Sequence, residues 1–179
     1  MVGVSVLVSL ILQTSPDPHV ALAYRTVDAI LKGKEPENPT TKTPSKGVFV
    51  TIESEGKILG CRGTLEPSAP TLEQEIQKAA RSATLFDPRY HQVQINKGKS
   101  FAVTLTVVER LEPINSVTGL APADGLVLIS GSGTGVVLPW EGRDPATRLQ
   151  WAYKKANTPP GTSATLKRLI AERFRFPEL

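Results

Sequence analysis

Gly47-Val48-Phe49-Val50-Thr51-Ile52-Glu53, then Ser54-Glu55-Gly56-Lys57, then Ile58-Leu59-Gly60-Cys61-Arg62-Gly63-Thr64: this run decides the fold. Val48, Val50 and Ile52 fall on one side of an extended chain, and Phe49 and Thr51 on the other. That two-residue period is the mark of a strand with two different faces. Ser54–Lys57 supplies turn chemistry, so the chain is expected to double back as a hairpin. The return strand delivers the only cysteine of the protein between two glycines and beside an arginine. Pro67 and Pro70 then end the extended stretch.

Working outward, the elements alternate in kind. Asp17 caps a helix over Val20–Leu31 that Gly33 ends. Lys34–Lys46, with Pro36, Pro39 and Pro44 among charges and threonines, reads as a loop and as the best place for mobility. Thr71 and Gln74 form a capping box for a helix reaching Leu85, with Leu72, Ile76, Ala79, Ala80 and Ala83 on one face. Asp87-Pro88 breaks it. Phe101–Glu109 alternates strongly and is a strand, and Leu126–Ser130 and Thr134–Leu138 form a hairpin about Gly131-Ser132-Gly133. Asp144-Pro145 starts a further helix. Thr162 is expected to cap a last helix carrying Leu166, Leu169, Ile170 and Phe174. Strands in pairs with helices between and after them favour an α+β fold, a mainly antiparallel sheet flanked by helices.

Composition bounds the function classes. The chain has 179 residues, 40% hydrophobic and 21% charged, as expected of one globular domain. We divide it into an N-terminal apolar segment, 1–18, and a single domain, 19–179, with a Pro-rich loop at 33–46. Met1–Leu12 is short of the ~20 residues a membrane helix needs. No Lys or Arg precedes it, so a strand or helix docked on the core is expected, with a degenerate signal ending near Ala21-Leu22-Ala23 as the alternative. One cysteine and two distant histidines exclude a disulfide framework and a cysteine-based metal site. No metal or cofactor is expected. A free thiol suits a reducing compartment, so the expected location is cytoplasmic.

The net charge of +4 is carried by residues 141–179, which hold 8 Lys or Arg and 4 Asp or Glu. This basic part is expected to be helical. A solvated helix face is the simpler reading. No recognised nucleic-acid motif accompanies it, which argues against nucleic acid as a partner; weak binding through the basic helices is the alternative.

Chemistry concentrates at Gly60–Thr64. A lone cysteine is most often a small buried hydrophobe. Against that, an adjacent cation such as Arg62 can lower a thiol's pKa, and Gly60 and Gly63 allow a ligand to approach the backbone. Cys61 is therefore the candidate nucleophile or contact, Arg62 an anion partner and Thr64 a hydrogen-bond donor. Asp87-Pro88-Arg89-Tyr90-His91 could fold back beside this turn. His91 would then act as base for Cys61 with Asp87 orienting it, and Arg89 would contact the ligand. A local pairing of Asp87 with Arg89 at a helix end is the competing reading. Gly131-Ser132-Gly133-Thr134-Gly135 lacks the lysine of a phosphate loop and is read as a turn. Trp140 and Trp151 are read as packing residues.

These residues resemble the AMMECR-type domain, whose bacterial and archaeal members are called AmmeMemoRadiSam system protein A. The resemblance is carried by Gly47–Thr51, Leu59–Pro67, the helix ending Asp87-Pro88-Arg89-Tyr90, Gly125–Leu128, Gly135–Pro139 and Lys154-Lys155-Ala156. The family's usual Arg-Gly-Cys-Ile-Gly-Thr is here Leu59-Gly60-Cys61-Arg62-Gly63-Thr64, so the cation stands on the other side of the cysteine. The resemblance implies a larger and a smaller subdomain with a cleft near the cysteine. It also implies an association with a Memo-like protein and a radical S-adenosylmethionine enzyme; the family's activity is not established. Two functional readings follow: a cleft that binds a small molecule or does thiol-dependent chemistry, and a non-enzymatic adaptor.

Overall fold

The computed structural model describes residues 16–90, 93–95, 99–142 and 144–177. Along the chain run α1 (Pro18–Leu31), β1 (Val48–Ser54), β2 (Lys57–Thr64), α2 (Leu72–Leu85), β3 (Ala102–Ile114), β4 (Gly125–Ser130), β5 (Gly133–Val137), α3 (Pro145–Lys155) and β6 (Thr165–Phe176). The six strands make one antiparallel sheet in the order β2-β1-β3-β6-β4-β5. The expected α+β class is what the chain adopts. The expected N-terminal segment falls largely on residues outside those described; within them, Ala21-Leu22-Ala23 lies inside α1.

The opening hairpin forms as read. Ser54 pairs with Lys57 across Glu55 and Gly56, both at positive φ, the mirror-type turn that suits the twist of two strands. Val48, Val50 and Ile52 point with Val103, Leu105 and Val107 of β3 into a core closed by α1 and α2. Asp17 accepts from the amides of His19 and Val20, and Thr71 from that of Gln74, so both helix starts are capped as their sequences indicate. A second core joins Leu126, Leu128 and Val137 to Ala152 of α3 and to Ala156, which caps its C-terminus. The third lies where the sheet curls on itself. There Phe49 meets Val127, Leu138 and Leu169, with Cys61 and Val136 packed against them.

The last expected helix is a strand. Thr165–Phe176 pairs with β3 along one edge and β4 along the other, and so joins the β4–β5 hairpin to the rest of the sheet. Leu166, Leu169, Ile170 and Phe174 happen to recur at helical spacing, among residues that favour helices. Two open strand edges offered a full ladder of backbone partners, and tertiary pairing overrode local propensity. The alternation Arg173-Phe174-Arg175-Phe176 was the period-two signal within that run. The basic C-terminal part is therefore one helix and one strand. Several of its cations make structural contacts: Arg148 is buried and donates to the carbonyls of Ala121 and Asp124, and Arg175 pairs with Glu53.

The Pro-rich loop is tied to α2. Buried Glu73 accepts from the Thr43 amide at 3.0 Å and from its hydroxyl at 2.6 Å, and the Leu72 amide donates to the Thr43 carbonyl. Gln77 donates to the Glu37 carbonyl, and Arg81 pairs with Glu35.

Candidate functional site

Strand β2 is an edge of the sheet, so one side of its backbone needs partners from elsewhere. At Cys61 they come from the turn after α2. The Cys61 amide donates to Asp87 Oδ2 at 2.8 Å, and Arg89 Nη2 donates to the Cys61 carbonyl at 2.6 Å. Asp87 and Arg89 are locked to each other through Nε at 3.0 Å and Nη2 at 2.8 Å, and the Arg89 amide also donates to Asp87. The pair acts as a two-pronged substitute for a neighbouring strand. Burial would raise the Asp87 pKa, but the Arg89 bonds and the Cys61 amide outweigh it and hold the carboxylate below its ordinary range. The guanidinium of Arg89 is raised by the same carboxylate.

Both main-chain groups of Cys61 point to this clamp. Thr51 and Cys61 are thus a pair without hydrogen bonds between their backbones, the kind that brings side chains closest. The Thr51 hydroxyl donates to Cys61 Sγ at 3.2 Å. Burial raises the thiol's pKa and prevails over the opposing influence of Thr51, Arg89 and Lys155, so the sulfur is a neutral thiol at pH 7. Arg62 registers with Val50 rather than Thr51, on the opposite pleat from the sulfur.

A cavity of about 630 Å³ opens beside Cys61. One wall is β1, β2 and the clamp: Phe49, Cys61, Arg62, Gly63 and Arg89. The opposite wall is β5, its end and α3, through Val136, Leu138, Trp151, Lys154 and Lys155. A smaller cavity of about 160 Å³ shares Cys61, Arg89 and Leu138 and extends over Thr51, Thr104, Thr106 and Trp140. The larger one is bordered by four cations and no carboxylate. Asp87 balances Arg89, and Glu141 balances Lys155 at 2.6 Å. Arg62 and Lys154 make no ion pair with any described residue.

The residues singled out in the sequence divide accordingly. Cys61, Arg62, Gly63 and Arg89 border the cavity, and Asp87 supports two of them. Gly60 faces α2: a Cβ there would lie 2.1 Å from the Ala83 carbonyl oxygen, so glycine is what lets the helix end lie on the strand. Thr64 donates its hydroxyl to Glu75, which also accepts from the amides of Ser68 and Ala69 and fixes the turn after β2. His91 lies outside the described residues. Trp140 and Trp151 are not packing residues; they are 59% and 40% exposed at the cavity walls. Sequence reasoning missed Val136, Trp151 and Lys154 as site residues, because β6 brings the two walls together and was expected to be a helix; Phe49 lies on the Cys61 wall, across from Gly63, and was read only as the second face of β1. Among the described residues no cluster of three or more His, Cys, Asp or Glu could hold a metal ion, and no helix is long and apolar enough to cross a membrane.

The fold and site define an α+β domain whose curled antiparallel sheet carries a basic cavity beside its cysteine. The chain belongs to the AMMECR1 family, whose model matches residues 20–178. It is 28% identical over 169 residues to a protein of Thermotoga maritima, covering 88% of this chain and 97% of that one. A Methanosarcina acetivorans protein is 33% identical over 134 residues, 67% of each chain. The crystal structure of uncharacterized protein PH0010 from Pyrococcus horikoshii superposes with a TM-score of 0.72 at 28% identity, covering 88% of this chain and 89% of that one.

Proposed function

We propose that this AMMECR1-family domain binds a small molecule in the cavity beside Cys61. One observation carries the reading: a hollow of about 630 Å³, within the size range of ligand sites, joins an apolar wall to a few converging polar groups. Cys61 enters as a neutral contact held by Thr51 and by the Asp87–Arg89 clamp. Thiol-dependent chemistry is the less favoured version, since burial opposes the thiolate a nucleophile requires. The test is a fragment screen by amide NMR, with neutral, cationic and anionic fragments in equal number. Hits that shift the amides of Cys61, Gly63, Arg89 and Val136 together support the reading. A screen that moves none of them overturns it.

The adaptor reading draws on a different observation. Phe86 and Trp140 are 65% and 59% exposed, and Tyr90 and Ile58, also exposed, border the same smaller cavity as Trp140. Exposed apolar groups of this size mark interaction surfaces. A Memo-like protein or a radical S-adenosylmethionine enzyme would be the partner to try. Binding of the purified partner that survives both Phe86→Ala and Trp140→Ala would remove this reading.

A further inference from the structure

We infer that the cavity takes a short extended peptide with a free carboxylate end, held between the two edges of the sheet. The inference rests on the ligand-site reading above and names the class of molecule.

The argument starts from the ends of the sheet. Strands β2 and β5 are its first and last members, yet both border the one cavity of about 630 Å³. The sheet has curled until its edges share this gap. An edge strand turns the main-chain groups of alternate residues outward. On β2 these belong to Cys61 and, two residues on, to Gly63. On β5, Lys155 reaches the Val136 carbonyl at 2.9 Å. Val136, and with it Thr134, therefore turns its main-chain groups away from β4.

Side chains of the protein occupy part of this row. The Asp87–Arg89 clamp takes both groups of Cys61, and Lys155 takes the carbonyl of Val136. The amide and carbonyl of Gly63, those of Thr134 and the amide of Val136 make no hydrogen bond with any described residue. Donors and acceptors are thus both left open, on two strand edges that border one cavity. A lone carboxylate would serve the donors only. An extended peptide presents N–H and C=O groups in alternation, and with an edge on each side every one of its N–H groups meets a strand.

Charge and surface narrow the class. Arg89 is matched by Asp87 and Lys155 by Glu141. Arg62 registers with Val50, so its side chain lies on the α2 face. Lys154 is the cation left for a ligand, and it shares a face of α3 with Trp151, three residues back. One cation suits one carboxylate, such as the end of a peptide chain. Phe49, Val136, Leu138 and Trp151 supply apolar surface for the peptide's side chains. The volume is that of a small-molecule site, so the peptide is short, about three residues.

The probes are N-acetylated tripeptides with a free carboxylate and Val, Leu, Phe or Trp at each position, pooled and screened against the full chain by NMR. The tightest member is then titrated singly. It is expected to slow hydrogen exchange at the amides of Gly63, Thr134 and Val136 more than elsewhere in the protein. N-methylation of its central amide is expected to weaken binding about fivefold or more, a change in the ligand that cannot unfold the protein. Conversion of its carboxylate to an amide, and Lys154→Ala, should each weaken binding about twofold to fivefold, and the two together no more than either alone. Lys154 is exposed, and unchanged thermal unfolding would show that the variant folds. Equal affinity for the N-methylated peptide would overturn the inference, as would full affinity in Lys154→Ala. Unchanged exchange at Gly63, or at Thr134 and Val136, also overturns it, and so does a pool with no binding member. In each of these cases the ligand-site reading stands if the fragment screen finds hits that shift the amides around the cavity. It falls only if fragments of every charge leave the cavity untouched.

Discussion

The amide of Cys61 donates to the carboxylate of Asp87 at 2.8 Å, 26 residues further along the chain. This bond joins the edge of the sheet to the turn after α2, and through Arg89 the same turn holds the Cys61 carbonyl. Asp87 is 5% exposed, so removing its charge leaves Arg89 and the Cys61 amide without their acceptor. Asp87→Ala should lower stability by about 1–3 kcal/mol, the range for losing hydrogen bonds to a charged group. It should also speed hydrogen exchange at the Cys61 amide well beyond the global change. Global destabilisation with normal protection at Cys61 would show that the clamp does not hold the strand.

Glu73 gives a pH prediction with a definite sign. Burial would raise its pKa, but the hydroxyl and amide of Thr43 outweigh that and hold it at about 2, against an ordinary 4.5. A carboxylate with a lowered folded-state pKa adds stability that is complete above the unfolded value and is lost as pH falls through the folded one. The native protein should therefore lose stability between pH 4.5 and about 2. Asp87 and Glu75 are also lowered, in both cases by hydrogen bonds that overcome burial, and add to the loss in the same direction. Glu73→Gln should be less stable than the native chain at pH 7 and should show a shallower loss on acidification. Parallel melting-temperature curves for the two proteins would count against this assignment.

Much of this arrangement was legible in the sequence. The alternation at Gly47–Glu53 gave the two faces of β1 correctly, because a half-buried strand must alternate. Thr71 and Asp144 announced their helices through capping chemistry, which is local and therefore readable. The segment 165–176 was misread for the opposite reason. Its leucines and basic residues satisfy a helix locally, and only β3 and β4, distant in sequence, make it a strand. The cavity was half legible on the same grounds. Of its Cys61 wall, Cys61, Gly63 and Arg89 were found and Phe49 was not, while Trp151 and Lys154 depend on where β6 places β5 and α3. Gly60 and Thr64 share a strand with Cys61 yet contact α2, because the pleat turns successive residues to opposite faces.

Gly60 tests that distinction between packing and ligand contact. A methyl group there would stand 2.1 Å from the Ala83 carbonyl oxygen, with Val93 also close, and backbone cannot yield cheaply. Gly60→Ala should cost about 1–3 kcal/mol through overpacking, seen as a lower urea midpoint with unchanged slope. Any ligand found for the cavity should bind the folded variant with near-native affinity. An unchanged midpoint coupled to lost binding would place Gly60 in the ligand site instead.

The thiol of Cys61 provides the sharpest measurement on the site. Burial raises its pKa, with the Thr51 hydroxyl and the Arg89 and Lys155 cations opposing, so the folded protein should hold a neutral thiol well past pH 7. Iodoacetamide modification of the native chain should therefore be slow at neutral pH, with a midpoint above the ordinary 9.0. Thr51→Val removes the hydroxyl that donates to the sulfur and should push the midpoint higher still. Unfolding the protein should restore an ordinary thiol and fast modification. Rapid alkylation of the native protein with a midpoint below neutral would mean an activated thiolate, and would return Cys61 to the role of nucleophile.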